Sequence, residues 1–382
     1  MKVLVAHNLY GSREPSGENR VVQDECKLME RSGVEIVRYL PSSDSLIGGG
    51  RLTRARAVEG VFSSRDSRTT LRQVIEKESP DVVHVHNVFP LVSPNVYVEA
   101  HRLGVPVVQT VHNYRLVCMA GTYFRRGAPC LDCSHGNPWP GVAHGCYRGT
   151  RPQSLAMSVG VVRQQQLWPR YVDRFLALTP FMADWLSSQR IPQERITVRP
   201  TWCAGPNIAP PLGRNVLFVG RVDRIKGVDD LVRAWGRTEL AAERSLEIVG
   251  DGPLLPEVRR LSGGLSGIHI HGQLSKDATD AAYARAAIVV VPSNCYEGFP
   301  RVIAEAFAVG RGVITTANPN LDSVVTQSAA GIVAPPDELP AALTEGVRRS
   351  VELGAAARAY WETRLAPQQA VSSLMDVYRS LK

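Results

Sequence analysis

Short runs of consecutive β-branched and apolar residues, repeated between stretches of helical periodicity, narrow most what this chain can become. In the first half they are Val3–Ala6, Val34–Tyr39, Val82–Val85, Val105–Val111 and Phe175–Thr179. The second half adds Ile196–Arg199, Val216–Val219, Leu246–Val249, Ile268–Ile270, Ile288–Val291 and Gly312–Thr315. A strand apolar at successive positions has both faces covered, which is the situation of a parallel sheet. Helical patterns fall between the runs, among them Asn19–Arg31, Ser67–Glu78, Pro180–Ser187, Gly227–Trp235, Pro253–Leu261 and Arg301–Val309. Alternation at this spacing predicts an α/β fold built with right-handed crossovers.

A chain of 382 residues has room for two such units. The proline- and glycine-rich segment Pro200–Arg214 (PTWCAGPNIAPPLGR) is the best boundary. The expected organisation is a Rossmann-like domain over 1–199, a linker over 200–214 and a second Rossmann-like domain over 215–365. A C-terminal helix over 366–382 is free to pack back on the first domain. Both domains are expected to be doubly wound parallel sheets facing a central cleft. Residues 113–152 break the alternation; an insert this long without periodicity is either functional or separately stapled.

Composition excludes several classes. With 44% hydrophobic and 21% charged residues the chain is neither disordered nor a coiled coil. Seven cysteines are too few for a disulfide scaffold. No apolar run approaches the roughly 18 residues of a membrane span, and the first residues read as a strand rather than a signal peptide. A cytoplasmic protein with reduced thiols is expected. The net charge of +8 lies mostly on scattered arginines and leaves phosphate-bearing ligands and an anionic membrane or nucleic acid open as partners. With no basic run of five, the better reading for most of these arginines is a solvated surface rather than a nucleic-acid stripe.

Two segments carry the most chemistry. In Ser293–Ala306 (SNCYEGFPRVIAEA) a strand gives way to a helix, with Pro300 suited to the first turn. Amides near Gly298 and Phe299 can face an anion there, while Glu297 and Glu305 stand eight positions apart. In Val216–Gly227 (VLFVGRVDRIKG) Arg221 and Lys226 follow a strand, where two cations suit a diphosphate. Glycine-rich turns follow at Ile248–Pro253 and Gly272–Leu274. In the first domain, Gly11–Asn19 is a β–α loop. His112 ends a strand at the edge where α/β ligand sites lie, next to Asn113. His84 and His86 end the preceding strand and read either as acceptor-side groups or as satisfied core histidines.

The order E-G-F-P-x-x-x-x-E-A from Glu297 to Ala306 resembles the signature of retaining family 4 glycosyltransferases, enzymes of the two-domain GT-B fold. The resemblance implies that Glu305 holds the donor ribose and Glu297 lies by the donor sugar. Amides at Gly298, Phe299 and Arg301 would then face diphosphate or sugar. It also implies that Arg221 and Lys226 hold the nucleotide phosphates, that the Gly272–Leu274 backbone touches the base, and that His112 contacts the sugar. Those enzymes usually have paired glycines in the first β–α loop; here Ser16-Gly17-Glu18 leaves only Gly17. The implied reaction is retaining transfer from a nucleotide-diphosphate sugar without a catalytic metal, and the chain has no D-x-D pair. Exopolysaccharide or lipid-linked glycan assembly is the expected setting, with peripheral contact at the inner membrane. A small-molecule acceptor is the alternative, and a sugar-nucleotide epimerase, a phosphorylase and a non-enzymatic binding protein are the rival classes. The stretch Ser154–Val172 reads as an interfacial helix or a buried one.

Cys118, Cys130, Cys133 and Cys146 all fall in the insert as C-x11-C-x2-C-x12-C, with His135 and His144 nearby. Structural Zn2+, four reduced thiols and a disulfide are the three readings, in that order.

Overall fold

The computed structural model describes residues 1–11, 16–46 and 65–381. Within them the predicted runs assemble into two six-stranded parallel sheets. The first domain contributes β1 (Lys2–Ala6), β2 (Glu35–Tyr39), β3 (Val82–Val85) and β4 (Val107–Val111). A small antiparallel hairpin, β5 (Phe124–Arg125) with β6 (Ala128–Pro129), sits in the insert, before β7 (Arg174–Ala177) and β8 (Ile196–Val198). The sheet order is β2-β1-β3-β4-β7-β8. The second domain contributes β9 (Asn215–Val219), β10 (Leu246–Val249), β11 (Ile268–Gly272), β12 (Ala286–Val291), β13 (Gly312–Thr316) and β14 (Gly331–Ala334). Its order is β11-β10-β9-β12-β13-β14.

Strand order reverses beside β1 in the first sheet and beside β9 in the second. At such a point successive crossovers run to opposite faces, so the loops part and leave a crevice at the carboxyl ends. Every residue of β3, β4 and β12 is buried, as expected of strands covered on both faces, and in β3 and β4 this includes the polar His84, Gln109 and Thr110. Edge strands are less emphatic: β11 alternates half-buried and exposed positions. β14, which pairs with β13 alone among the described residues, was not anticipated; it is a half-buried edge strand whose GIVA carries only two β-branched residues.

The segment 200–214 lies against the second domain. Arg311, 2% exposed, threads under it and donates to the carbonyls of Pro211 (2.6 Å) and Pro210 (3.2 Å). The helix Pro367–Arg379 lies on the first domain, where Leu374, Val377 and Tyr378 pack with Val3, Val5, Val22 and Cys26. In the insert, the hairpin and the helix Trp139–His144 precede a long helix, Arg151–Tyr171. Met157, Val161 and Trp168 of that helix are buried, whereas Leu155 and Val159 face outward. No described helix is long and apolar enough to cross a membrane.

Candidate functional site

The loops leaving β9 and β12 meet at the crevice of the second sheet. The Asn294 amide donates to the Ile225 carbonyl at 2.9 Å and ties the two together. Lys226 Nζ then reaches Glu297 Oε2 at 2.6 Å, and the Ser293 hydroxyl donates to the other Glu297 oxygen. Asp223 caps the turn Arg224–Lys226, accepting from the Lys226 amide at 3.2 Å, and pairs with the more exposed Arg221. Burial works against the Lys226 ammonium, yet the Glu297 carboxylate outweighs it and holds the pKa above the usual lysine value. The site therefore presents a permanent cation beside a carboxylate.

Close backbone packing shapes the same loop. A Cβ at Gly227 would lie 2.0 Å from the Pro292 carbonyl oxygen. Cβ atoms at Gly250 and Gly252 would lie 1.8 and 2.4 Å from the carbonyl oxygens of Gly220 and Val222. The G-D-G turn thus braces the loop that carries Arg221.

Glu305 is held from two sides, by Tyr283 Oη (2.9 Å) and by Arg301 Nε (2.9 Å). Arg301 also reaches across the crevice to Asp24 of the helix Gly17–Arg31, at 2.8 Å. The helix carrying Glu305 begins at Arg301, with Pro300 as its extended cap rather than inside the first turn. Gly298 presses on the opposite domain, where a Cβ would meet the His112 carbonyl oxygen at 2.2 Å. Phe299 is buried, and its carbonyl accepts from Thr201 at 3.5 Å. Gly272 ends β11 with φ +69 and, with Leu274 two residues on, lies at the carboxyl edge of the second sheet.

Sequence reasoning missed Asn320, which organises the junction. Fully buried, it donates to the carbonyls of Glu297 and Gly298 and accepts from Tyr114 Oη (3.1 Å) and Thr179 Oγ1 (2.5 Å). The only hint was Asn318-Pro319, which marks a helix start.

In the first domain His112 Nε2 and His86 Nδ1 lie 2.8 Å apart, their rings stacked. Glu18, one residue after Gly17, accepts from Asn113 (3.1 Å) and Tyr10 (3.2 Å). Gly17 opens its helix, and a Cβ there would meet nothing within 4 Å among the described residues; residues 12–15 of the preceding loop lie outside them. His86, His112, Asn113 and Glu18 line a small cavity. His7 Nδ1, Glu18 Oε1 and His86 Nε2 are buried near it without a hydrogen-bond partner among the described residues. His84 is a core histidine instead, with Tyr378 Oη and Thr110 Oγ1 each at 2.7 Å from its two nitrogens. Glu25, His84 and His86 come together closely enough to suggest a metal. However, both His84 nitrogens are engaged and Glu25 is paired with Arg199 at 2.7 Å, so these donors are already committed.

The four insert cysteines are free and line one cavity.

Comparison with known proteins follows the same division. The family described as Glycosyl transferase 4-like domain matches residues 16–202, and that described as Glycosyl transferases group 1 matches residues 213–352. A D-inositol 3-phosphate glycosyltransferase of Nocardiopsis dassonvillei is 26% identical over 80% of this chain and 71% of its own length. An exopolysaccharide phosphotransferase of Streptomyces coelicolor is 27% identical over 55% of this chain, a match spanning only 24% of that protein. A second D-inositol 3-phosphate glycosyltransferase, from Xylanimonas cellulosilytica, is 33% identical over 43% of this chain and 41% of its own length. Anabaena HepE in complex with UDP superposes over 100% of both chains with a TM-score of 0.65 and 14% identity. Sucrose-phosphate synthase of Thermosynechococcus elongatus covers 100% of this chain and 98% of its own, with TM-score 0.65 and 18% identity. On the two matched domains and this shared architecture, the chain belongs to the family 4 glycosyltransferases of the GT-B fold.

Proposed function

We propose that this chain transfers a sugar from a nucleotide-diphosphate donor to an acceptor hydroxyl with retention of anomeric configuration, in exopolysaccharide or lipid-linked glycan assembly. The observation that carries the reading is the Lys226–Glu297 pair at the crevice of the second sheet, flanked by Arg221 and by Glu305. Arg221 and Lys226 meet the charge that grows on the departing diphosphate, the part a metal ion plays in other transferases. Glu305 has the acceptor oxygens to take a ribose diol, and Glu297 lies where the donor sugar would begin. The acceptor proton passes to the leaving phosphate oxygen as the new bond forms on the face the old one leaves. The complex of HepE with UDP and the similarity to a Streptomyces exopolysaccharide phosphotransferase support the donor class and the polymer setting.

The insert supports a membrane-borne acceptor. Leu131 and Trp139 of the insert and Leu155 and Val159 of the helix that follows are exposed, as are Arg126, Arg148, Arg151 and Arg170, and Asp132 is the only acid between Asn113 and Val172. Exposed apolar side chains in a stretch rich in arginine and poor in acids suit an anionic bilayer surface.

A thermal-shift screen of UDP-, GDP-, ADP- and dTDP-sugars identifies the donor, and anomeric coupling constants in the product NMR spectrum read the stereochemistry. An inverted product, or a rate that depends on added Mg2+ or Mn2+, would overturn the mechanism. Sedimentation with neutral and anionic vesicles alike, or with neither, would overturn the membrane setting.

A further inference from the structure

Three separate stretches of the insert deliver four cysteines to one cavity. Cys118 follows the turn Tyr114–Leu116, Cys130 and Cys133 lie in the loop after β6, and Cys146 follows the helix Trp139–His144. Gly141 makes room for them: a Cβ there would meet Met119 Cε at 2.4 Å and Cys133 Sγ at 3.6 Å. The guanidinium of Arg125 borders the same cavity, and its buried Nε has no hydrogen-bond partner among the described residues. The surrounding secondary structure is slight, two strands of two residues and a helix of six. So little structure closes no core of its own.

We propose that Cys118, Cys130, Cys133 and Cys146 bind one Zn2+ as four thiolates and thereby staple the insert to the first domain. The C-x2-C step supplies two ligands from one turn, and the flanking cysteines supply the other two. Binding displaces four thiol protons and leaves a site of net charge −2, half of which the guanidinium of neighbouring Arg125 offsets. Among the described residues, only Glu25, His84 and His86 have three ligand atoms all within 4.8 Å of one another. No three of the four sulfurs therefore lie within 4.8 Å of one another, whereas Zn–S bonds near 2.3 Å set tetrahedral edges of about 3.8 Å. One staggered step about χ1 carries a cysteine sulfur by about 3 Å, so side-chain rotation around the shared cavity supplies the closure.

The test needs no activity assay. Elemental analysis of full-length protein purified without chelators should find about one zinc per chain, released by an organomercurial as the insert thiols titrate. Cys130→Ser/Cys133→Ser should contain none, while Cys26→Ala, altered outside the insert, should keep it. Because the double variant can fail to fold, the wild-type release titration carries equal weight. Wild-type protein without zinc, a mass lowered by disulfide formation at these cysteines, or equal zinc loss in both variants would overturn the proposal.

Discussion

Lys226 and Glu297 neutralise each other at 2.6 Å, and an arriving diphosphate must share the ammonium with the carboxylate. Removing the lysine does more than delete one contact, since it leaves Glu297 facing the incoming anion uncompensated. A hydrogen bond to a charged group contributes about 1.5–3 kcal/mol, roughly a tenfold to hundredfold change in affinity. Lys226→Ala is therefore expected to weaken nucleotide-sugar binding by at least about tenfold in titration calorimetry. Glu305→Gln keeps the shape of its side chain and should lose less, because Tyr283 and Arg301 still hold the residue in place. Unchanged affinity in Lys226→Ala would remove the pair from the donor site.

At the scale of elements, the ends of β1, β3 and β4 bring the buried His7, His84 and His86 together with the half-buried His112. Burial lowers the pKa of each, His84 to about 4 from an ordinary 6.5. A histidine kept neutral by the fold contributes stability fully above its unfolded pKa, and loses it as pH falls toward the folded value. Each histidine protonated only in the unfolded chain costs about 1.4 kcal/mol per pH unit. Glu25 does not offset this loss. Arg199 holds its pKa low against the cost of burial, so its own contribution disappears only below the ordinary carboxylate range. Urea midpoints should thus hold between pH 7.5 and 6.5 and fall steeply from 6.5 to 5. A flat profile across that lower interval would contradict the neutral buried cluster. These strand ends also show what the sequence could convey. A central strand such as β12 was legible because burial on both faces leaves an unbroken apolar run, and β3 was legible from its valines despite the buried His84 among them. Arg221, Lys226, Glu297 and Glu305 were singled out in the sequence by the order of motifs that resembles family 4 glycosyltransferases, not by their positions at strand and helix ends alone. Asn320 and the commitment of His84 to the core were not, since both depend on contacts between segments far apart in the chain, 206 residues in the case of Tyr114 and Asn320.

At the scale of the whole molecule, one buried apolar cluster includes Val85 and Leu178 of the first domain and Phe299 and Ile303 of the second. Polar contacts across the crevice add Arg301 to Asp24 at 2.8 Å and the Tyr296 amide to the Thr122 carbonyl at 3.0 Å. The domains meet most closely at Gly298, where any side chain would need space held by the His112 carbonyl and, at 3.1 Å, by Leu178 Cδ1. The carbonyl belongs to the backbone at the end of β4 and cannot turn aside as a flexible side chain would. Gly298→Ala must therefore move the loop or part the domains, and Asn320 resists the first by gripping the carbonyls on both sides of that peptide. Small-angle scattering should then show a larger radius of gyration than wild type, because the domains can no longer seat against each other. Transfer should slow at least about tenfold, since an incompletely closed cleft misplaces the acceptor and admits water. Donor affinity should fall less than transfer, because the Lys226–Glu297 pair and Glu305 all lie within the second domain. A variant with wild-type dimensions and wild-type kcat/KM would show that contact at Gly298 is not what sets closure.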